Sequence, residues 1–235
     1  MYYIDIETVS GFKDFQSADE RTQELFKTKF FREIDELCKE SGAPENTEAA
    51  YLYRDKAAVL AEFNRIVCVS LGTILPKKAQ NDGSISPESI YIKSFAGGNE
   101  KEILEQLYGA LTTAYSLCAH FGKGFDYPIL CRKYVMHQIP IPQILNISGK
   151  KPWEIPLEDT QDLWKFGDMR HSVSLDLLAH IFGLPSPKTE MHGSEVSNYY
   201  YNDPDGINKI AKYCEADVRT LVNVHRKMNY LPILP

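Results

Sequence analysis

Asp5 and Glu7 lie one residue apart in Tyr2-Tyr3-Ile4-Asp5-Ile6-Glu7, a stretch that alternates as a β-strand does. Both carboxylates therefore leave the same face, together with Tyr3, while Tyr2, Ile4 and Ile6 fall on the other. Far along the chain Asp126 closes a glycine-rich turn, Gly122-Lys123-Gly124-Phe125-Asp126. Tyr213 and Asp217 stand four apart in a helical stretch and project from one face of it. Such groups do two kinds of chemistry: proton transfer and, where several carboxylates converge, the holding of cations through oxygen. Each also has a plain structural reading. Asp5 and Glu7 fit the solvated face of an edge strand, Asp126 a helix N-cap, and Tyr213 a buried phenol hydrogen-bonded to an aspartate one turn on. The hydrophobic setting of the first pair argues against the edge strand, because unpaired acids on a central strand are expensive.

Other chemistries are excluded by what the 235 residues lack. No Gly-x-Ser-x-Gly, Walker A or Gly-x-Gly-x-x-Gly element occurs. The five cysteines, Cys38, Cys68, Cys118, Cys131 and Cys214, contain no Cys-x-x-Cys pair, which argues against a disulfide framework or a zinc knuckle and for reduced thiols. His120, His171, His180 and His192 show no pairing at i, i+4 and no His-Glu partner, so they read as structural histidines. With 32 acids against 26 bases the net charge is −6, and residues 1–60 hold 13 of the acids and 8 of the bases. No segment is a polycation, so phosphate binding through a basic stripe is not expected unless bound cations supply the charge. The acidic start is unlike a signal peptide and no run of about 18 apolar residues exists, so the expectation is a cytoplasmic protein without membrane contact.

The elements that must position these groups follow from periodicity. A strand at residues 2–6 is followed by a charged, helical excursion at about 11–62, broken by Ser-Gly-Ala-Pro at 41–44. Residues 66–74 and 90–95 read as further strands with a turn-like segment from Lys77 to Pro87 between them, giving an antiparallel meander. Glu100 to Leu111 is an amphipathic helix and Ser116 to His120 a short apolar strand. Pro128 suits the first turn of another helix. Residues 140–156 are proline-rich loop, 157–163 fit a strand, and Ser174 to Phe182 is a helix stopped by Gly183 and Pro185. A polar, tyrosine-rich segment from Thr189 to Gly206 leads into the closing helix, Ile207 to Met228. The pattern predicts a single α/β domain over residues 1–235, with strands first and then alternating helices and strands.

Taken in order, D-x-E on a first strand, an Asp after a glycine-rich F-D turn and Y-x-x-x-D near the end resemble the DEDD 3′–5′ exonucleases of the subgroup with tyrosine in the third motif. The closer resemblance is to the stand-alone predicted exonucleases related to the proofreading domain of family B DNA polymerases. It rests on Tyr3-Ile4-Asp5-Ile6-Glu7-Thr8, on Cys118-Ala119-His120-Phe121-Gly122-Lys123-Gly124-Phe125-Asp126-Tyr127-Pro128, on Ser174-Leu175-Asp176-Leu177-Leu178 and on Tyr213-Cys214-Glu215-Ala216-Asp217-Val218. Residues 11–60 carry little of it.

The resemblance implies an RNase H-like fold with a mixed central sheet, antiparallel in its first three strands and parallel after them, flanked by helices. It implies that Asp5, Glu7, Asp126 and Asp217 hold two divalent cations, Mg²⁺ or Mn²⁺, with Tyr213 beside the attacking water. A histidine subgroup would have His at the position of Lys212. Thr8, His120, Phe121 and Lys123 flank these motifs and are expected to contact the substrate. Relatives usually carry Asn where this chain has Phe121, which exchanges a polar contact for an aromatic face. The implied activity is metal-dependent removal of nucleotides from 3′ ends of single-stranded nucleic acid, DNA favoured over RNA. The alternatives are a 3′-trimming ribonuclease and a catalytically silent binding module that keeps the fold. Lys123, Arg132, Lys133, Lys165, Arg170 and Lys188 could track a backbone, although each also reads as a surface charge, and Asp159 and Asp162 read as supporting or turn acids.

Overall fold

The computed structural model describes residues 1–79, 85–168, 170–186 and 191–235. Strand β1 (Tyr2–Ser10) carries the opening alternation. The helical excursion resolves into α1 (Glu20–Lys29), α2 (Phe31–Ser41) and α3 (Glu45–Lys56). Asp19 caps α1 by accepting the Thr22 N–H, and α2 stops at Gly42, which takes the left-handed φ of 71° that ends helices. The apolar sides of these helices meet in a cluster of their own around Phe15, Phe26, Phe30, Ile34, Leu52 and Tyr53.

Next come β2 (Asn64–Leu75), the two-residue pair β3 (Lys78–Ala79) and β4 (Ile85–Ser86), and β5 (Ser89–Ala96). Helix α4 (Glu100–Leu111), strand β6 (Leu117–Ala119) and helix α5 (Asp126–Met136) follow, with Pro128 in the first turn of α5. Strand β7 (Leu157–Asp159) is shorter than the expected 157–163, because the Asp159 side chain accepts the Gln161 N–H and starts α6 (Thr160–Lys165) at once. Beyond lie α7 (Leu175–Ile181), α8 (Val196–Asn202), which makes the tyrosine-rich segment helical, and α9 (Gly206–Met228).

The main sheet has the order β5-β2-β1-β6-β7. β1 and β5 each run antiparallel to β2, while β6 runs parallel to β1 and to β7. This is the mixed sheet expected from the sequence. One face of β1, through Ile4 and Ile6, packs on Leu104 and Leu107 of α4 and on Ile129, Leu130 and Tyr134 of α5. The opposite face lies under α9, with Tyr3 against Val218, Leu221 and Val222, and with Val9, Val67 and Cys68 against Ile210 and Cys214. Gly72 of β2 permits that approach: a Cβ there would stand 2.5 Å from the Val218 Cγ1. Among the described residues no helix is long and apolar enough to cross a membrane.

Candidate active site

The β-alternation that sends Ile4 and Ile6 into one core leaves Asp5 and Glu7 on the side of α9. Glu7 is only 8 % exposed and stands opposite Cys68 of β2 in the antiparallel register. Asp126 opens α5 and is 4 % exposed; its carboxylate accepts from its own N–H and from the Ile6 N–H, which ties it to the strand bearing the other acids. Tyr213, Cys214 and Asp217 descend from α9 onto the same spot. The structure thus brings together Asp5, Glu7, Asp126, Tyr213 and Asp217 from three well-separated parts of the chain.

The electrostatics follow from that convergence. Burial, then the charges of Glu7, Asp217 and Asp126, push the Asp5 carboxyl well above its ordinary value. Burial, then Asp217, Cys68 and Asp126, do the same to Glu7. Asp126 is pushed up to about 7, chiefly by burial, with its backbone hydrogen bonds opposing and Asp159 and Asp217 adding to the rise. Among the described residues none of Asp5, Glu7 or Asp126 forms an ion pair with a lysine or arginine. A buried group of carboxylates without basic partners is a donor set that hard divalent cations fit, since the ions supply the missing positive charge.

Tyr213 hydrogen-bonds Asp217 one turn on, and burial followed by the nearby acids raises its phenol far above the usual range. It therefore stays protonated and acts as a donor. Cys214 donates its thiol to Asp5, 3.2 Å from Oδ2 and 3.4 Å from the backbone carbonyl. Burial first, then Cys68 and the acids, raise this thiol well above its ordinary value. Cys214 was legible only as the residue after Tyr213, with no sign of its contact with Asp5.

Asp159 turns out to organise the approach to the site. It is 2 % exposed, and its carboxylate accepts three backbone N–H groups: Phe121 at 2.9 Å, Lys123 at 3.0 Å and Gln161 at 2.9 Å. These bonds pin the turn that delivers Asp126. The readable signal was Asp-Thr at a helix start, an N-cap pattern; its reach across to residues 121–123 was not readable.

The four expected substrate contacts have different surroundings. Phe121 is 48 % exposed with φ 60°, so its ring lies at the surface and not in the core. Its ring lies over Gly124, where a Cβ would stand 2.5 Å from it. Lys123 points its Nζ at Asp162, 3.3 Å away. His120 is held on both sides, with Nε2 2.9 Å from the Val173 carbonyl and Nδ1 2.9 Å from the Thr160 hydroxyl; burial lowers its pKa, so it is a neutral brace. Thr8 is buried and donates its hydroxyl to the Ala58 carbonyl at 2.7 Å, engaged with the helical excursion instead of the acids. Of the basic residues considered for backbone tracking, Lys133 is 1 % exposed and paired with Glu100, which removes it from any surface role. Lys165 and Arg170 pair with Asp162 and Asp168, Arg132 is exposed, and Lys188 lies outside the described residues.

The family described as predicted 3′–5′ exonucleases related to the exonuclease domain of PolB matches residues 60–231. No curated protein matches the chain. Among solved structures it is similar to the family B DNA polymerase from the hyperthermophilic archaeon Pyrobaculum calidifontis, with a TM-score of 0.57 at 13% identity, over 97% of this chain and 24% of the polymerase chain. At that identity the likeness is one of fold, and this chain spans about a quarter of the polymerase's length. The α/β architecture is accordingly RNase H-like, similar to a PolB exonuclease domain.

Proposed function

The chain belongs to the family of predicted 3′–5′ exonucleases related to the exonuclease domain of PolB, and from that membership we propose that it hydrolyses phosphodiester bonds one nucleotide at a time from the 3′ end of single-stranded DNA. The observation that carries the reading is the convergence of Asp5, Glu7, Asp126 and Asp217, the first three of them without a lysine or arginine partner among the described residues. These four carboxylates would hold two Mg²⁺ or Mn²⁺ ions. When bound, such a pair lowers the pKa of an attacking water and stabilises the departing 3′ oxygen.

The chain's own groups do the rest. Tyr213 keeps its proton, so it cannot serve as a base near neutral pH and instead orients water by donating a hydrogen bond. Asp217 fixes the phenol from one turn below. Asp159 holds the 121–123 backbone and so the entry to α5, which sets where the Asp126 carboxylate stands. Phe121 offers an exposed aromatic face on which a terminal base can stack. The net charge of −6 supports dependence on cations for phosphate binding.

The test uses 5′-labelled single-stranded DNA and RNA, with Mn²⁺ or Mg²⁺ against a chelator, on the wild type and Asp5→Ala. A ladder shortening from the 3′ end of DNA, absent with chelator and absent in the variant, is expected. A ladder on RNA alone assigns the activity to RNA. No degradation of either polymer removes the enzymatic reading in favour of a binding module.

A further inference from the structure

Away from the acids, two aromatic side chains stand outside the core. Phe166 is 91 % exposed and Tyr230 98 %, and their φ angles of 46° and 59° fall where a bulky residue is disfavoured and glycine is not. Both line one open cavity of about 240 Å³, together with Trp164, Phe182 and Lys227. Trp164 and Phe182 are fixed there, edge to face with 5.8 Å between ring centroids and packed on the apolar cluster around Leu178 and Val224. Phe166 and Tyr230 keep their faces to solvent, and among the described residues Lys227 forms no ion pair. Two free rings and a free cation beside one cavity are a surface for something flat and anionic.

Helix α6 joins this cavity to the entry of the acid cluster. Lys123, in the turn that delivers Asp126, and Lys165, the last residue of α6, meet at one carboxylate, with Nζ 3.3 Å and 3.4 Å from the Asp162 oxygens. Two lysines on one aspartate leave a net positive charge. Phe166 follows Lys165 directly, so Phe121, Lys123, Lys165, Phe166, Lys227 and Tyr230 form a strip in which aromatic faces are interleaved with cations. That combination holds single strands whatever their sequence, because every base has a face to stack and every nucleotide a phosphate. The six residues of α6 set the cavity about 9 Å beyond the turn, out of reach of the nucleotide at the acids. We propose that this cavity is a second binding site for single-stranded nucleic acid, where bases on the 5′ side of the reacting nucleotide stack on Phe166 and Tyr230 and Lys227 meets a phosphate. The direction of the strand rests on the exonuclease reading above; the binding itself does not.

The probe is 5′-fluorescein-labelled oligothymidylate of about 16 nucleotides, its binding followed by fluorescence anisotropy in chelator. Phe166→Gly and Tyr230→Gly should each weaken binding about tenfold, the loss of one stacked base. Glycine takes positive φ without steric cost, so both variants should melt no lower than the wild type; if either does not fold, Phe166→Asn or Tyr230→Asn replaces it, since Asn also tolerates that φ. Lys227→Gln should reduce the slope of log affinity against log salt by about 0.7, one phosphate contact on a single strand. Wild-type affinity in both glycine variants, or an unchanged salt slope in Lys227→Gln, overturns the site and leaves the cavity to some other partner. In Mn²⁺-dependent digestion the glycine variants should raise KM for the long strand about tenfold while leaving kcat, and KM for a strand of about 4 nucleotides, unchanged. A protein that binds through Phe166 and Tyr230 but digests nothing fails as an exonuclease while keeping the site. One that digests both lengths with wild-type KM in the glycine variants is an exonuclease without it.

Discussion

Phe121 holds φ at 60°, a left-handed conformation that Asn tolerates and a bulky aromatic residue rarely adopts. The conformation costs about 1–2 kcal/mol, and it is maintained by the Phe121 N–H bond to Asp159 and by the ring lying over Gly124. Strain kept beside a buried acid cluster is the kind that function retains. Phe121→Asn should therefore stabilise the fold by about 1 kcal/mol in urea denaturation. It should also raise KM for single-stranded DNA roughly tenfold, within the range of one lost base–aromatic stack, with kcat little changed. An unaltered KM in that variant would remove Phe121 from substrate contact. The acids themselves were legible because their types, order and spacing are sequence properties. The engagement of Thr8 with Ala58 and of His120 with Val173 was not, since those partners lie 50 and 53 residues away and are set by packing. Asp159 shows the same limit: its N-cap role is local, but two of its three bonds cross from β7 to the turn before α5.

At the scale of elements, α5 must be held against the sheet for Asp126 to meet Asp5, and an ion network at its far side contributes to this. Lys133 of α5 reaches the Glu100 carboxylate at 3.2 Å and donates to the Asn64 carbonyl. Glu100, the first residue of α4, also accepts the Ile66 N–H of β2 and stands 2.7 Å from His137 Nε2. One buried carboxylate thus joins two helices and a strand. Burial lowers the Lys133 pKa, and the Glu100 charge beside it opposes the fall. Removing one partner of such a pair strands the other, at a cost of about 3–5 kcal/mol. Lys133→Ala should lose that much in equilibrium denaturation, and Lys133→Met, which fills the space but also strands Glu100, should recover only part of it. A loss under about 1 kcal/mol for the alanine variant would show that water or His137 replaces the lysine. Nothing in the sequence separates Lys133 from its exposed neighbour Arg132, because burial here depends on where α4 delivers Glu100. By contrast, the antiparallel pairing of β1, β2 and β5 was legible as a meander, while the parallel strands came from the family resemblance and the order β5-β2-β1-β6-β7 from the structure.

Over the whole molecule, placing uncompensated acids at the centre of an already acidic chain makes stability depend on pH and on divalent cations together. In metal-free protein the folded state favours the protonated forms of Asp5, Glu7 and Asp126, whose pKa values all lie above their ordinary ones. Below about pH 3 these groups are protonated in both folded and unfolded chains and have no effect on the balance. As pH rises, the unfolded chain releases protons that the folded chain retains, so stability falls, and for Asp126 the fall ends near pH 7. A carboxyl moved from 3.8 to about 7 costs the folded state on the order of 4 kcal/mol above that pH. Bound cations reverse the sign, because they favour the ionised carboxylates and bind the folded chain alone. Melting curves taken from pH 5 to pH 8 should therefore show Tm falling with pH in chelator and rising on addition of Mn²⁺. The gap between the two should be small at pH 5 and should widen toward pH 8. A gap that is constant across this range, or a Tm in chelator that climbs with pH, would mean that the acids of β1 and α5 do not share one electrostatic centre. Asp5→Asn narrows the choice further: removing one charge from the cluster should flatten the chelator curve and shrink the Mn²⁺ response together, whereas a purely structural role for Asp5 would lower Tm equally at every pH.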